Sequence, residues 1–476
     1  MIWLDLIAAR ADSDEPAVFT DDGVWTGREL LARAGGAIEF LDAIGAPVGS
    51  PVVALLTSRP MAFALTIGAA ASDRALAPLG PRLTVSELVP CVDALAGEVI
   101  ITEPEFEGLA HEVAARTGRR VAVLPDLPAS GWHPSMVIAP DRPTAILHTS
   151  GTTGRPKAVA YTEGKLVARV KVNAQLVDLG PGAVYATASP FHHIAGLGMM
   201  FVALGSGAAL RPMPRFDIAA WRALPDSGVT HALIVPTMIE MLLDAGELRL
   251  PGLRVLQYGA SSVHPDTLAR AMQALPGVRF VNLFGQTEGS PITALTMADH
   301  ELAAAGHPHL LTSVGRAAPG VEVVIADPDE TGVGEIHARA EHLFRPDADG
   351  WLRTGDLGRV DAEGYLYLSG RKGDKIIRGG ENVYPLEVEH VLASHPAVAE
   401  ACVYGVPDRV YGEIVAATVV PAADVPMPTW EELRAFTRER LAGFKVPTRW
   451  EAAAELPRNA TGKVLRRALI DKAGSE

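Results

Sequence analysis

A large α/β domain with a covering β-rich segment, followed by a small, mobile α+β domain, is the fold class this chain predicts. Three observations predict it. Short apolar runs alternate with stretches of helical apolar spacing as far as residue 320, as expected for strands buried on both faces by helices. Beyond residue 320 the apolar runs shorten and are parted by glycine and acidic turns, which reads as a β-rich cap. Residues 369–374, Ser-Gly-Arg-Lys-Gly-Asp, then set two glycines in a charged run, the composition of a hinge. At 476 residues the chain exceeds the size at which one core stops growing. The predicted division is 1–370 for the large domain, 371–374 for the hinge and 375–476 for the small domain.

The elements follow in order. Residues 29–41 have helical spacing, 51–56 form a short apolar strand, 61–71 are helical and 98–101 are again a strand. Residues 183–188 read as a strand and 190–193 as a polar turn. A buried strand at 230–235 leads to a helix at 237–243. The strand at 253–258 ends in Gly259, a helix covers 265–272, and the strand at 278–284 ends in Gly285. Strands ending in such residues can reach a shared cleft. The β-rich segment has strands at 321–325, 334–338 and 365–368. The small domain reads as strand 375–377, helix 385–392, strands 401–406 and 414–420, helix 430–441 and a basic tail.

Composition narrows the function classes. With 48% hydrophobic and 21% charged residues, the chain is globular rather than disordered. A formal charge of −14 argues against a nucleic-acid partner. The two cysteines, Cys91 and Cys402, sit among apolar neighbours and read as buried, reduced thiols. Asp5, Arg10 and Asp12 interrupt the first residues, so no secretory signal is visible. The longest apolar run, 194–210, is 17 residues and holds five glycine or serine positions. That is short of the ~20 residues of a membrane span, and a cytoplasmic enzyme is expected.

The most informative stretch is 147–159. Thr149, Ser150, Gly151, Thr152, Thr153 and Gly154 put four hydroxyls and two glycines in six residues, closed by Arg155 and Lys157. Glycines let backbone N–H groups turn inward as an anion nest, and the hydroxyls and cations add donors and charge. Such a loop suits phosphate oxygens, although its spacing is not that of the common nucleotide P-loop. Glu288 lies between Gly285 and Gly289 at a strand end. A carboxylate there suits Mg²⁺, which takes oxygen ligands and substrate phosphates. Asp356 can accept two hydrogen bonds from vicinal ribose hydroxyls, with Arg371 fifteen residues on at the hinge; the alternative is a hairpin-turn acid and a surface arginine. Lys463 follows Gly462 near the C-terminus, where a mobile domain could carry it to neutralise charge building during attack on phosphorus.

Together these segments resemble one family. Residues 149–157, 284–289, 351–356, 370–374 and 457–463 stand in the order and spacing of the acyl-adenylate-forming enzymes, with lesser likeness at 78–87, 190–196, 380–385 and 395–412. The resemblance covers almost the whole chain. It is nearer to AMP-forming acyl-CoA synthetases than to peptide-synthetase modules, because no carrier domain is present and thirteen residues follow Lys463. It implies two steps with ATP, Mg²⁺ and CoA. A carboxylate attacks the α-phosphorus to give acyl-AMP and pyrophosphate, and a thiol then displaces AMP after the small domain rotates.

The resemblance also assigns roles to residues. Thr149 to Gly154 and Lys157 match the phosphate loop, Glu288 the Mg²⁺-binding acid and Thr287 its phosphate-contacting neighbour. Gly259, Ala260 and Ser261 match one side of the adenine pocket, with Asn282, Leu283 and Phe284 opposite. Asp356 and Arg371 match the ribose grip. His193 matches the histidine between acyl pocket and nucleotide site, and Gly379, Gly380 and Glu381 the segment near the pantetheine path. The acyl pocket falls on His192, His193, Ile194, Gly196, Leu197, Met199 and Met200. Three positions depart from the family pattern: Gly373 replaces an Asp or Lys, His192 an aromatic residue and Glu163 a histidine.

The reading is an ATP-dependent acyl-CoA ligase. The acyl wall is apolar with small residues and two methionines, and residues 194–200 contain no arginine. That favours a hydrophobic acid, with room for a bulky one, over malonate- or succinate-like acids. Alternatives are a ligase loading a phosphopantetheinyl carrier protein, a transferase taking acyl-AMP from an adenylating partner, and an adenylate-binding scaffold.

Overall fold

The computed structural model describes residues 1–133, 137–150, 156–260, 263–423, 425–458 and 464–474. Where the alternation predicts one covered sheet, the large domain builds two. The nine-stranded sheet runs, edge to edge, from Arg316–Ala317 through Gly289–Leu295, Arg279–Gln286, Val255–Tyr258, His231–Ile234, Val184–Thr187, Ala209–Pro212 and Pro16–Phe19 to Val24–Thr26. The six-stranded sheet has the order Arg120–Val123, Val99–Thr102, Val52–Leu55, Leu76–Leu79, Pro143–Ser150, Pro156–Thr162. Both are mixed, with parallel centres and antiparallel hairpins at 143–162 and 279–295.

The helices form for local reasons and pack for global ones. Gly27–Ala43 starts at a capping box in which the Thr26 hydroxyl accepts from the Glu29 N–H and the Glu29 carboxylate accepts from the Thr26 N–H. Pro60–Ala71 has proline at its start and is buried along almost its whole length, from Ala62 to Ala71. That fits its uniformly apolar sequence, since a helix that is hydrophobic all round is a core helix. Phe63, Ile67, Phe201, Leu204 and Trp3 share the largest buried cluster.

Strands Val184–Thr187, His231–Ile234, Val255–Tyr258 and Arg279–Gln286 pair in parallel as neighbours. Their carboxyl ends therefore lie along one edge, where open α/β sheets bind ligands. The cap is an antiparallel sheet of Glu322–Ala326, Gly334–Arg339, Leu352–Val360 and Leu366–Arg371. Asp356 is interior to the third of these strands, which corrects the hairpin-turn alternative. The small domain pairs Glu381–Val383, Ile376–Arg378, Gly412–Pro421 and Val398–Asp408, with Arg449–Ala452 alongside Gly412–Pro421. Both cysteines are free and buried, and burial pushes their thiols up to about 11 and about 12. Among the described residues no helix is long and apolar enough to cross a membrane.

Candidate active site

The strands on either side of the glycine loop, Pro143–Ser150 and Pro156–Thr162, pair antiparallel, with Thr149 opposite Lys157 and His148 opposite Ala158. Gly151 to Arg155 lie outside the described residues, as does the side chain of Ser150. What the second strand packs against is clear. The Tyr161 hydroxyl donates to the Thr287 carbonyl at 2.6 Å, and its ring lies 4.0 Å from that of Phe344. The Phe344 N–H donates in turn to the Glu288 carbonyl at 2.7 Å. Thr287 and Glu288 form the turn between Arg279–Gln286 and Gly289–Leu295, closed by the Gln286–Gly289 pair. The flanking glycines permit it: a Cβ on Gly289 would come 2.1 Å from Leu343 Cδ2, and one on Gly285 would meet the Gly289 carbonyl at 2.7 Å. The Glu288 backbone is thus fixed from both sides, with its side chain half-buried. Among the described residues no group of three His, Cys, Asp or Glu could hold a metal ion. A lone carboxylate fits Mg²⁺, which keeps waters and substrate phosphates as its other ligands.

At the sheet edge Tyr258 pairs with Asn282, and the Asn282 amide donates to the Tyr258 carbonyl at 3.1 Å. Beyond Tyr258 the chain turns sharply. Ala260 takes φ +68°, a left-handed conformation that costs a non-glycine residue about 1 kcal/mol or more. Leu283 and Phe284 continue the neighbouring strand, while Ser261 lies outside the described residues.

Asp356 and Arg371, fifteen positions apart, face each other across adjacent strands. Arg371 Nε reaches Asp356 Oδ1 at 2.7 Å. Asp356 is buried and Arg371 exposed, and the Asp356 N–H donates to the Thr354 hydroxyl at 3.0 Å. The pair presents a fixed carboxylate beside a guanidinium that stays accessible.

His192 and His193 sit in the turn before the helix Leu197–Gly205, their ring centroids 4.2 Å apart. His192 packs on Gly80, where a Cβ would come 2.7 Å from its Nε2, and its Nδ1 is buried without a partner. Burial lowers His193 to about 4 and, with His193 and Arg82 nearby, holds His192 well below the usual range. Both rings are neutral at neutral pH. Leu197, Met199 and Met200 are buried in the core, with Ile194 packed against it and Gly196 held over the Pro190 carbonyl.

The sequence reading missed Arg169. It lies on the helix Glu163–Val177, is buried, and places Nη2 so close to Gly198 that a Cβ there would stand 2.9 Å away. No arginine occurs within 194–200, but one reaches that wall from another helix. Arg169 shares the buried face of its helix with Leu166, Val170, Asn173 and Val177. A cation at that spacing was the available signal.

Of the departures, Glu163 has a structural account. It is buried, accepting from the Thr144 hydroxyl at 2.7 Å and the Leu4 N–H at 2.9 Å, so it ties the helix start to two other segments. Gly373 lies in the turn Lys372–Asp374, where a Cβ would meet nothing. Lys372 pairs with Glu335 at 2.8 Å and Asp374 with Arg466. Gly379 and Gly380 make the turn between Ile376–Arg378 and Glu381–Val383 at φ +61° and +91°, and the Gly379 N–H donates to the Tyr411 carbonyl at 2.7 Å. Glu381 is exposed. Lys463 lies outside the described residues, just before Val464, which pairs with Arg458.

Comparison with known proteins identifies the family. Residues 7–346 match the family model of the AMP-binding enzymes and residues 387–463 that of the AMP-binding enzyme C-terminal domain. The chain is 32% identical to a fatty acid–[acyl-carrier-protein] ligase, ScoC, of Streptomyces coeruleorubidus, over 98% of this chain and 94% of that one. It is 33% identical to a feruloyl-CoA synthase of an Amycolatopsis species, over 96% of each chain. The structure of the amide bond synthetase McbA from Marinactinospora thermotolerans superposes with a TM-score of 0.89 at 29% identity, covering 99% of this chain and 100% of that one. This chain belongs to the AMP-binding enzymes, the acyl-adenylate-forming superfamily, on its acyl-CoA synthetase branch.

Proposed function

We propose that the protein activates a hydrophobic carboxylic acid with ATP and transfers the acyl group to CoA. The observation that carries this reading is the bond from Tyr161 to Thr287. The strand that follows the glycine loop, Pro156–Thr162, is thereby joined to the turn bearing Glu288. Thr149 to Gly154 and Lys157 would cradle the phosphates, with Thr287 beside them. Glu288 would hold Mg²⁺, which when bound neutralises phosphate charge. Adenine lies between 259–261 and 282–284, and Asp356 with Arg371 grips the ribose.

In the first step the acid's carboxylate oxygen attacks the α-phosphorus and pyrophosphate leaves. Lys463 neutralises the negative charge that builds there. In the second step the thiol attacks the acyl carbonyl carbon, loses its proton, and AMP departs. His193, uncharged, is a polar wall between the two halves of the site rather than a proton donor. The small domain, 375–476, turns on residues 371–374 and brings Gly379, Gly380 and Glu381 to the thiol path.

The test is acid-dependent ATP–pyrophosphate exchange over a panel of acids, followed by thioester formation with CoA. Exchange with acids of six or more carbons supports the reading. A clear preference for acetate or malonate would overturn the hydrophobic assignment. A second reading, a phosphopantetheinyl carrier as acceptor, is favoured by the similarity to the acyl-carrier-protein ligase. It predicts exchange without product on free CoA and loading of a phosphopantetheinylated carrier.

A further inference from the structure

Arg169 is 1% exposed, and among the described residues no carboxylate pairs with it. The other buried arginines are satisfied differently. Arg74 meets Asp42 at 2.6 Å. Arg10 donates to the Ala208 and Pro16 carbonyls at 2.9 and 2.8 Å. Arg169 donates from Nη1 to the Ser290 carbonyl, while its Nε is buried without a partner. Its Nη2 lies over Gly198, the position where a Cβ would come 2.9 Å from it. One turn along the helix, Asn173 Oδ1 is also buried and unpartnered, although its amide donates to the Arg169 carbonyl at 2.9 Å. A guanidinium keeps its charge and carries five donors. Burying it with so few partners is costly unless an anion arrives.

Both neighbours of the guanidinium belong to the site. Gly198 is part of the acyl wall, and Ser290 stands two residues past Glu288. We propose that Arg169 determines acyl specificity: it pairs with a second carboxylate at the far end of an otherwise apolar acid. The assignment rests on the acyl-CoA ligase reading and deepens it. Ile194 and Ala195, half-buried in the turn before Gly198, suit the hydrocarbon between the two carboxylates. An acid lacking the second carboxylate leaves Nε and Nη2 unpaired beside it, and a site built to hydrogen-bond a group discriminates strongly against analogues without it.

The experiment uses the full chain with ATP, Mg²⁺ and matched acids: hexanoate against adipate, octanoate against suberate, and 3-phenylpropionate with and without a ring carboxylate. Exchange rates and melting temperature are both read. The expected result is at least a tenfold higher kcat/KM for the diacid in one or more pairs. Arg169→Met should abolish that preference through a rise in KM that is larger for the diacid than for the monoacid, and melt no lower than the parent without acid. Gly198→Ala, whose new methyl displaces Nη2, should lower the diacid rate more than the monoacid rate. A monoacid preference in every pair, unchanged by either variant, would overturn the proposal. So would an Arg169→Met protein that melts lower yet keeps the parent's diacid-to-monoacid ratio, since the arginine would then only support the Ser290 carbonyl. If Arg169→Met does not fold, an unchanged ratio in Gly198→Ala overturns it. Exchange without diacid preference counts against Arg169 alone. If no acid supports exchange, the ligase reading fails, and the absence of any diacid-induced rise in melting temperature overturns the Arg169 site as well.

Discussion

Asp356 is the residue for which chain position and geometry agree most closely. Its carboxylate is buried, its N–H is spent on Thr354, and Arg371 lies 2.7 Å away. Asp356→Asn keeps the shape but weakens the acceptor. Charged hydrogen bonds are worth roughly 1.5–3 kcal/mol, so KM for ATP should rise about tenfold to a hundredfold, with the acid's KM little changed; equal rises in both would count against a ribose role. Lys463→Ala should slow adenylation by ~10²-fold while sparing thioester formation from supplied acyl-AMP. Pyrophosphate exchange and single-turnover transfer, measured separately, check this, and equal losses would refute it. Both were singled out because short segments in fixed order carry them, and Lys463 lies outside the described residues. The facing of Asp356 and Arg371 was legible only as a shared role, since strand register, not spacing, brings them together. Arg169 was not singled out because residues 194–200 are one contiguous segment, whereas the side chain that reaches Gly198 comes from the helix Glu163–Val177.

At the scale of elements, Tyr161 joins the strand Pro156–Thr162 to the turn at Glu288. Tyr161→Phe keeps the ring against Phe344 and loses the bond to the Thr287 carbonyl. A net hydrogen bond is worth about 0.5–1.5 kcal/mol, so a small fall in melting temperature is expected, with a larger rise in KM for ATP·Mg than for the acid. An unchanged KM for ATP would mean that the strand and the turn are positioned independently. The hinge gives a different expectation. A Cβ at Gly373 meets nothing and its φ is not left-handed, so Gly373→Ala should fit this conformation and stabilise it by about 0.4–1 kcal/mol through the unfolded chain. A change in the ratio of the two half-reaction rates would show that backbone freedom at 373 serves rotation. An unchanged ratio would make that departure neutral. Strands such as 51–56, 230–235 and 253–258 were legible because buried parallel strands write themselves as apolar runs, whereas the helix Glu163–Val177 and the strands Gly289–Leu295 and Leu352–Val360 were not. The division into two sheets was not, since strand order depends on which crossovers pack together.

The whole molecule carries many histidines whose neutral form burial favours. His148, His193, His231 and His300 fall from 6.5 to about 4, with His192, His342 and His390 also lowered. As pH falls below 6.5 the unfolded chain takes up these protons and the folded chain does not. Stability is therefore lost between about 6.5 and about 4. Glu103 and Glu163, raised by burial, act in the opposite direction but are fewer. Melting temperature should drop steadily across that window, and a flat profile would show these rings to be accessible. The central claim is that one chain performs both halves of the reaction. ATP, Mg²⁺, an apolar acid and CoA in one vessel, and the corresponding acyl-AMP with CoA in another, test it most directly. The account predicts thioester at comparable rates in both, with AMP and pyrophosphate formed one for one with product in the first; thioester from acyl-AMP alone, or ADP in place of AMP, would contradict it.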